Sequence, residues 1–179
     1  MKPDNRLTSM KTMKTSGYGS ASARKDRLIH EHNHNPYKIK HKLSEPTVCP
    51  DCNAVFQGGR WHWAKSYPLD ARRELCEACR RTKDHYPAAE VTLKGGAVRL
   101  HREEMVNLAR NLEKLDSAEH PMHRIMNIEE RLNRVVITTT DLHLARRIGE
   151  AICSAHKGRV DWQYNREACF ARVNWTSED

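Results

Sequence analysis

The chain has 179 residues and a mass of 20.8 kDa, which fits one domain of average size or two small ones and excludes a large multidomain enzyme. Hydrophobic residues make up 38% and charged residues 30%, with a formal net charge of +8, so the core is modest and part of the chain lies outside it. The longest aliphatic run, Val135-Val136-Ile137, is far short of the roughly 20 residues that a membrane span needs. Residues 1–25 hold no apolar block, so we expect no secretory signal, no membrane partner and a cytoplasmic protein.

Residues 1–45 carry most of the net charge. Ten Lys or Arg and four Asp or Glu give +6 there, whereas residues 46–90 and 91–179 carry +1 each. The segment is polar and lacks apolar periodicity, which predicts a basic arm that is disordered when alone. Such an arm suits a polyanion, because each cation that meets a phosphate releases counterions. The dominant polyanion of a bacterial cytosol is RNA, mostly ribosomal; a solubilising tail without a partner is the alternative.

Four of the six cysteines form two closely spaced pairs. Cys49-Pro-Asp-Cys52 and Cys76-Glu-Ala-Cys79 are separated by 23 residues, a pattern typical of one tetrahedral Zn²⁺ held by four thiolates. Because sulfur fills every position, no site remains for a catalytic water, and the predicted zinc is structural. A redox dithiol or two coincidental pairs are the competing interpretations.

The residues around the pairs predict a zinc ribbon or treble-clef module over residues 46–90. Asn53 follows the first pair, where the turn needs a positive φ that Asn tolerates well. Residues 75–83 have the pattern of a short helix with the second pair on its first turn. Gly58-Gly59 predicts a hairpin between the pairs.

Several side chains of this module are candidates for nucleic-acid contacts. Trp61 and Trp63 share one face of the returning strand and either stack on bases or cover the zinc site. Arg60 and Lys65 suit phosphate contacts. Four further arginines either offset the negative charge of the zinc site or face phosphate: Arg72, Arg73, Arg80 and Arg81.

Residues 91–179 predict a small α+β domain. Residues 91–98 alternate apolar positions around Gly95-Gly96, which indicates a hairpin. Met105, Leu108, Ala109, Leu112 and Leu115 then recur at helical spacing. Strands near 123–129 and 134–139, a helix capped by Thr139 or Thr140, and two final strands complete the order α-β-β-α-β-β, with the helices on one sheet face.

The second domain offers further nucleic-acid candidates. Phe170 and Arg172 fall on the open face of the last strand, an aromatic–cation arrangement that RNA-binding sheets use, or they belong to an ordinary solvated face. Arg146 and Arg147, in the second helix, are either phosphate contacts or surface charge.

The chain lacks the motifs of common catalytic sites. It has no Gly-rich phosphate loop, no nucleophile elbow and no His-Glu-x-x-His. Asp141 with His143 is explained by a helix cap, and Cys153 and Cys169 by buried thiols. We therefore expect a protein that is not an enzyme.

Together these motifs resemble a protein family. The residues concerned are Cys49-Pro-x-Cys52, Gly59-Arg60-Trp61-x-Trp63, Asn107-Leu108-x-Arg110-Asn111 and the run from Val136 to Gly149. They are similar to a family of small bacterial zinc-ribbon proteins and, more remotely, to the N-terminal part of the archaeal and eukaryotic large-subunit export adaptors, the nonsense-mediated-decay protein three family. The resemblance covers roughly residues 46–175 and implies four-cysteine zinc ligation. Those adaptors bind the large ribosomal subunit but carry more cysteine pairs and further domains, so only ribosome or RNA binding carries over.

Charge, cysteines and resemblance combine into one functional hypothesis. The sequence predicts a zinc-stabilised RNA-binding protein that associates with the ribosome, its basic arm supplying attraction and its folded part supplying shape and stacking. The alternative is a zinc-ribbon adaptor or transcription-associated regulator that binds protein or DNA, because fold does not fix function.

Overall fold

A computed structural model describes residues 35–39, 41–165 and 168–178, all within one compact unit, Glu31–Asp179. Most of the predicted basic arm, residues 1–34 and 40, lies outside the described residues. Within the described ranges, no helix combines the length and the apolar character needed to cross a bilayer. The chain is a mixed α+β protein, as predicted.

A four-stranded sheet and one short helix carry the four cysteines. Its strands lie in the order β3-β2-β1-β4, with β1 antiparallel to β2 and parallel to β4. The elements are β1 (Thr47–Val48), β2 (Val55–Gln57), β3 (Arg60–His62), β4 (Arg72–Arg73) and α1 (Glu77–Lys83). The β2–β3 pair is the predicted hairpin, and Gly58 and Gly59 both have positive φ.

A five-stranded sheet with two helices follows. Its strands lie in the order β6-β7-β5-β9-β8. The elements are β5 (Ala89–Lys94), α2 (Gly96–Glu119), β6 (Ile125–Arg131), β7 (Arg134–Thr139), α3 (Leu142–Ala155), β8 (Gly158–Asn165) and β9 (Phe170–Ser177). The predicted order α-β-β-α-β-β is present, preceded by one further strand.

That further strand, β5, lies at the centre of the sheet. It pairs antiparallel with β7 and parallel with β9. Because β7 is antiparallel to both β5 and β6, β5 and β6 run the same way, and β5-α2-β6 forms a split β-α-β unit. This topology leaves α2 and α3, which contact each other, on one face of the sheet.

The hairpin predicted around Gly95-Gly96 is wrong. The strand ends at Lys94, Gly95 has φ 113°, and α2 begins at Gly96. Val98, expected on a returning strand, is fully buried in the first turn of α2. Gly95 and Gly96 are compatible with either a hairpin turn or a strand-to-helix turn. Because β5 pairs with the distant strands β7 and β9, the chain leaves the sheet at Gly95 and continues as α2.

The stripe predicted for α2 is only partly right. Met105 and Ala109 are fully buried, but Leu115 is 67% exposed and Asp116 is buried instead. The helix is kinked at His101, where φ is −119° and ψ is 23°. The N-cap of α3 lies one or two residues later than the predicted Thr139 or Thr140, because the Asp141 side chain accepts from the backbone N–H groups of His143 and Leu144.

Replacing Gly149 in α3 by alanine is expected to destabilise the protein, although Ala is the better helix former by about 1 kcal/mol. An added Cβ would lie 2.5 Å from Val173 Cγ1 of β9, in a fully packed core. Overpacking of this kind costs about 1–3 kcal/mol, which outweighs the gain in helix propensity, so the free energy of unfolding is expected to fall. Urea denaturation measures it. The double variant with Val173→Ala removes Cγ1, and an equal cost of Gly149→Ala in that background would contradict this explanation.

Candidate metal centre

The four paired cysteines converge at one point. Their Sγ atoms all lie within 4.8 Å of one another, and Cys52 Sγ is 3.8 Å from Cys76 Sγ. A tetrahedral ion with metal–sulfur bonds of about 2.3 Å has sulfur–sulfur edges of about 3.8 Å. No disulfide joins them, and three of the four are buried. The donor set and its spacing therefore fit one four-coordinate metal ion.

The first pair lies on a tight turn between β1 and β2. The backbone N–H of Asn53 donates to the Cys49 carbonyl at 2.9 Å, and that of Cys49 donates to the Ala54 carbonyl at 2.9 Å. Asn53 has φ 62°, as its position after the pair predicted. Closing this turn brings the Cys52 sulfur back beside Cys49.

The second pair lies at the start of α1, also as predicted. Cys76 is the N-cap, and its Sγ accepts from the backbone N–H of Cys79 at 3.4 Å. The backbone N–H of Cys76 in turn donates to Cys49 Sγ at 3.4 Å. These N–H donors favour the charged thiolate, which is the form that binds metal.

The Cys52 and Cys76 thiols perturb each other. Their hydrogen-bond contact lowers the pKa of Cys52 to about 4 and raises the pKa of Cys76 above its usual range. Burial raises the pKa of Cys79 to about 11. Since a metal ion binds thiolates, ligation has to expel the protons of these thiols.

Arg124 is the cation beside the thiolates. Its Nη1 donates to Cys79 Sγ at 3.4 Å and its Nε donates to the Pro121 carbonyl at 2.6 Å. Burial lowers the pKa of Arg124, but hydrogen bonds to Cys52 and Cys79 outweigh it and hold that pKa above its usual range. No sequence pattern indicates this contact, because Arg124 is 45 residues from Cys79 and reaches it only through tertiary packing.

Trp61 and Trp63 make different contacts near the cysteine cluster. Trp61 packs against the cysteine cluster and meets Phe56 edge to face, with ring centroids 5.5 Å apart. Trp63 is 43% exposed, donates from Nε1 to the Ser117 carbonyl at 2.6 Å and lies 5.7 Å from the Arg124 guanidinium. Trp61 therefore covers the cluster, while Trp63 also joins the module to α2.

Of the arginines predicted to contact phosphate, some bind other groups of the chain and others are exposed to solvent. Arg80 bonds to the Leu75 carbonyl and pairs with Glu74, and Arg81 is 3% exposed. Arg72 also pairs with Glu74, at 3.8 Å, but stays exposed. The remaining predicted phosphate contacts of the module are exposed: Arg60, Lys65 and Arg73.

Residues assigned to the arm cover Arg81. Tyr37 is buried, its ring centroid lies 4.4 Å from the Arg81 guanidinium, and its hydroxyl donates to Asp84 Oδ2 at 2.8 Å. Leu43 is buried as well. The described residues between 35 and 45 are thus folded, which corrects the expected disorder there. The sequence signal was present in Tyr37 and Leu43 themselves, but two isolated apolar residues have no periodicity to reveal it.

Arg146 and Arg147 both pair with carboxylates within the chain. Arg146 Nε lies 2.9 Å from Glu150 Oε1, one turn along α3. Arg147 contacts Asp116, whose side chain is only 4% exposed. His123 Nδ1 lies 3.5 Å from the other oxygen of Asp116. Arg147 therefore balances a buried charge, a role that its sequence position did not indicate.

Phe170 and Arg172 lie together on the sheet face that α2 and α3 leave uncovered. Ala171, Val173 and Trp175 point toward the helices, so the alternate residues of β9 face away from them. The Arg172 guanidinium lies 5.0 Å from the Phe170 ring centroid. Arg172 is exposed and Phe170 half-buried, which places an aromatic ring and a cation side by side at the surface.

No family model, curated protein or solved structure matches the chain. The resemblance to the zinc-ribbon and export-adaptor families therefore stays a prediction.

Proposed function

We propose that this protein is a non-enzymatic, zinc-stabilised RNA-binding protein of the cytoplasm that associates with the ribosome. The observation that carries the proposal is the sheet face opposite α2 and α3, where Phe170 and Arg172 form an adjacent aromatic–cation pair. A split β-α-β sheet with an aromatic on its open face suits stacking of unpaired bases.

Zinc is the ion that best suits the cysteine cluster. Four soft thiolates in a tetrahedral arrangement are typical of Zn²⁺, and a site with no open position is structural. The turn around Asn53 and the second pair at the start of α1 support a ribbon or treble-clef module. In this proposal the metal holds β1, β2 and α1 together and takes no part in chemistry.

The charge pattern of the open face supports a polyanionic partner. Register and alternation place one cation on each of the five strands of this face, and these five cations outnumber the three acids there. The cations are Lys94, Arg131, Arg134, Arg159 and Arg172, and the acids are Glu90, Glu129 and Asp161. Exposed Arg60, Lys65, Arg72 and Arg73 on the zinc module supply further phosphate contacts in this proposal.

The ribosome is proposed as the RNA partner on two grounds. Residues 1–45 carry +6, which suits a dense polyanion, and the export adaptors that the chain resembles bind the large subunit. Sedimentation of the tagged protein through a sucrose gradient at low salt tests the association. Co-sedimentation with ribosomes that weakens as salt rises is expected, and protein that stays at the top of the gradient contradicts it. Crosslinking that recovers mainly DNA, or no nucleic acid, favours the adaptor or regulator instead.

Replacing Phe170 by alanine is expected to weaken binding of single-stranded RNA by about 1–3 kcal/mol, the value of one stacked base. Fluorescence anisotropy with a labelled oligonucleotide measures the change. Leu115→Ala is the matched control, because it removes an exposed apolar side chain from α2, on the helix-covered side of the sheet. Equal affinities for Phe170→Ala and the control would show that this face does not stack bases.

A further inference from the structure

A second group of metal-ligating side chains lies apart from the cysteines in sequence. His101, Glu104 and His156 place their ligand atoms within 4.8 Å of one another. His101 Nδ1 is 3.0 Å from Glu104 Oε2, and the two imidazole centroids are 5.2 Å apart. Two imidazoles and one carboxylate are the ligands of a common three-residue zinc site.

Separate elements bring these residues together. His101 lies at the kink of α2, and Glu104 lies three residues further along that helix, on the same side. His156 is the C-cap of α3, and its backbone N–H donates to the Ile152 carbonyl at 2.9 Å. Its ring packs edge-on against buried Trp175, with centroids 6.5 Å apart. One ligand is therefore held by the core, and the other two share a helix.

The spacing needs little change to enclose an ion. Metal–nitrogen and metal–oxygen bonds of about 2.0–2.2 Å place tetrahedral ligand atoms about 3.3–3.6 Å apart. The His101–Glu104 pair is already at 3.0 Å. Their side chains are 48% and 70% exposed, so they can move the remaining distance toward His156 without disturbing the core.

A simple hydrogen bond accounts for only part of this arrangement. The His101–Glu104 contact involves two of the three residues, while packing against Trp175 holds the His156 ring beside them. His101 and Glu104, but not His156, also line an open cleft of about 550 Å³, which gives solvent access to these two ligands.

We propose that His101, Glu104 and His156 bind a divalent first-row transition ion, Zn²⁺ or one of similar ligand preference, through two imidazole nitrogens and one carboxylate oxygen. This site shares no residue with the cysteine cluster. Imidazole and carboxylate ligands are harder than thiolates, so the second ion is held more weakly and exchanges more readily.

Titration of the full-length purified protein with Zn²⁺ against a chromophoric chelator tests the proposal. Wild type is expected to bind one more equivalent than Glu104→Gln, whatever the cysteine cluster holds. Glutamine keeps the size of the side chain and a hydrogen bond to His101 but is a poor zinc ligand. His156→Ala is expected to lower the affinity for the same ion at least about tenfold, because losing even a hydrogen-bond partner of a metal ligand lowers metal affinity by that much.

Glu103→Gln is the matched control, because Glu103 is the exposed neighbour of Glu104 on α2 and lines the same cleft. It is expected to bind as wild type does. Equal stoichiometry and affinity in wild type, Glu104→Gln and His156→Ala would overturn the proposal. That result would also be seen if the ion were held by other histidines of the chain, such as His30, His32 and His34. Thermal denaturation of each variant before titration establishes that it is folded.

Discussion

Replacement of Cys76 by serine is expected to abolish metal binding by the cysteine cluster and to unfold the module around it. Cys76 is fully buried, and its Sγ is one of the four clustered sulfur atoms, 3.8 Å from Cys52 Sγ. A serine oxygen can still cap α1, so the substitution separates loss of the metal from loss of the helix cap. Structural zinc contributes roughly 10–16 kcal/mol of apparent binding free energy in small modules, which is comparable to the whole stability of a typical domain, about 5–15 kcal/mol.

Metal analysis and limited proteolysis measure these two effects. The variant is expected to lose the tightly bound ion and to gain cleavage sites between residues 46 and 84. Cys153→Ser is the matched control, because Cys153 Sγ donates to the Gly158 carbonyl at 3.4 Å and serine can make the same bond. If Cys76→Ser kept a stoichiometric ion and wild-type protection, the cluster would not be a metal site.

The cysteine cluster was predictable because its geometry is local. Two residues between ligands set the turn, the residue after the first pair needs a positive φ, and the second pair begins a helix; Asn53 and Cys76 satisfy these conditions. The helix and strand order after α2 was likewise predictable, since the apolar periodicities are long. These features depend on neighbours in sequence, so one sequence suffices to find them.

The features that the sequence missed all depend on long-range packing. Arg124 reaches Cys79 across 45 residues, and β5 is central because strands from the far end of the chain flank it. The same holds for the proposed metal ligands His101 and His156, which lie in α2 and at the C-cap of α3. Their residue types were visible in the sequence, but their proximity follows only from the way α2 and α3 pack together.

The buried charge of Asp116 is a second consequence of that packing. Asp116 lies near the end of α2 on the side that faces α3, where the periodicity of α2 would place an apolar residue. It is 4% exposed and contacts Arg147 of α3, which is about half exposed. A carboxylate so deeply buried depends on its partner, because the cost of removing it from water is not otherwise offset.

Arg147→Ala is therefore expected to destabilise the protein by about 3 kcal/mol, the lower end of the range for breaking a buried ion pair. The lower end applies because the Arg147 side chain is itself about half exposed, so solvent screens its interaction with the carboxylate. Arg146→Ala is the matched control on the same helix, since Arg146 pairs with an exposed Glu150 and such pairs contribute less than about 1 kcal/mol. Chemical denaturation gives both values.

The double variant Asp116→Asn/Arg147→Ala identifies the cause. Asparagine removes the buried charge while keeping the size of the side chain, so it should recover much of the stability that Arg147→Ala loses. If the two single changes were simply additive, the loss would come from the packing of the Arg147 side chain and not from an unpaired carboxylate. Equal effects of Arg146→Ala and Arg147→Ala would likewise contradict the buried pair. Recovery in the double variant, with a near-neutral Arg146→Ala, would make Asp116–Arg147 the electrostatic link that holds α2 to α3.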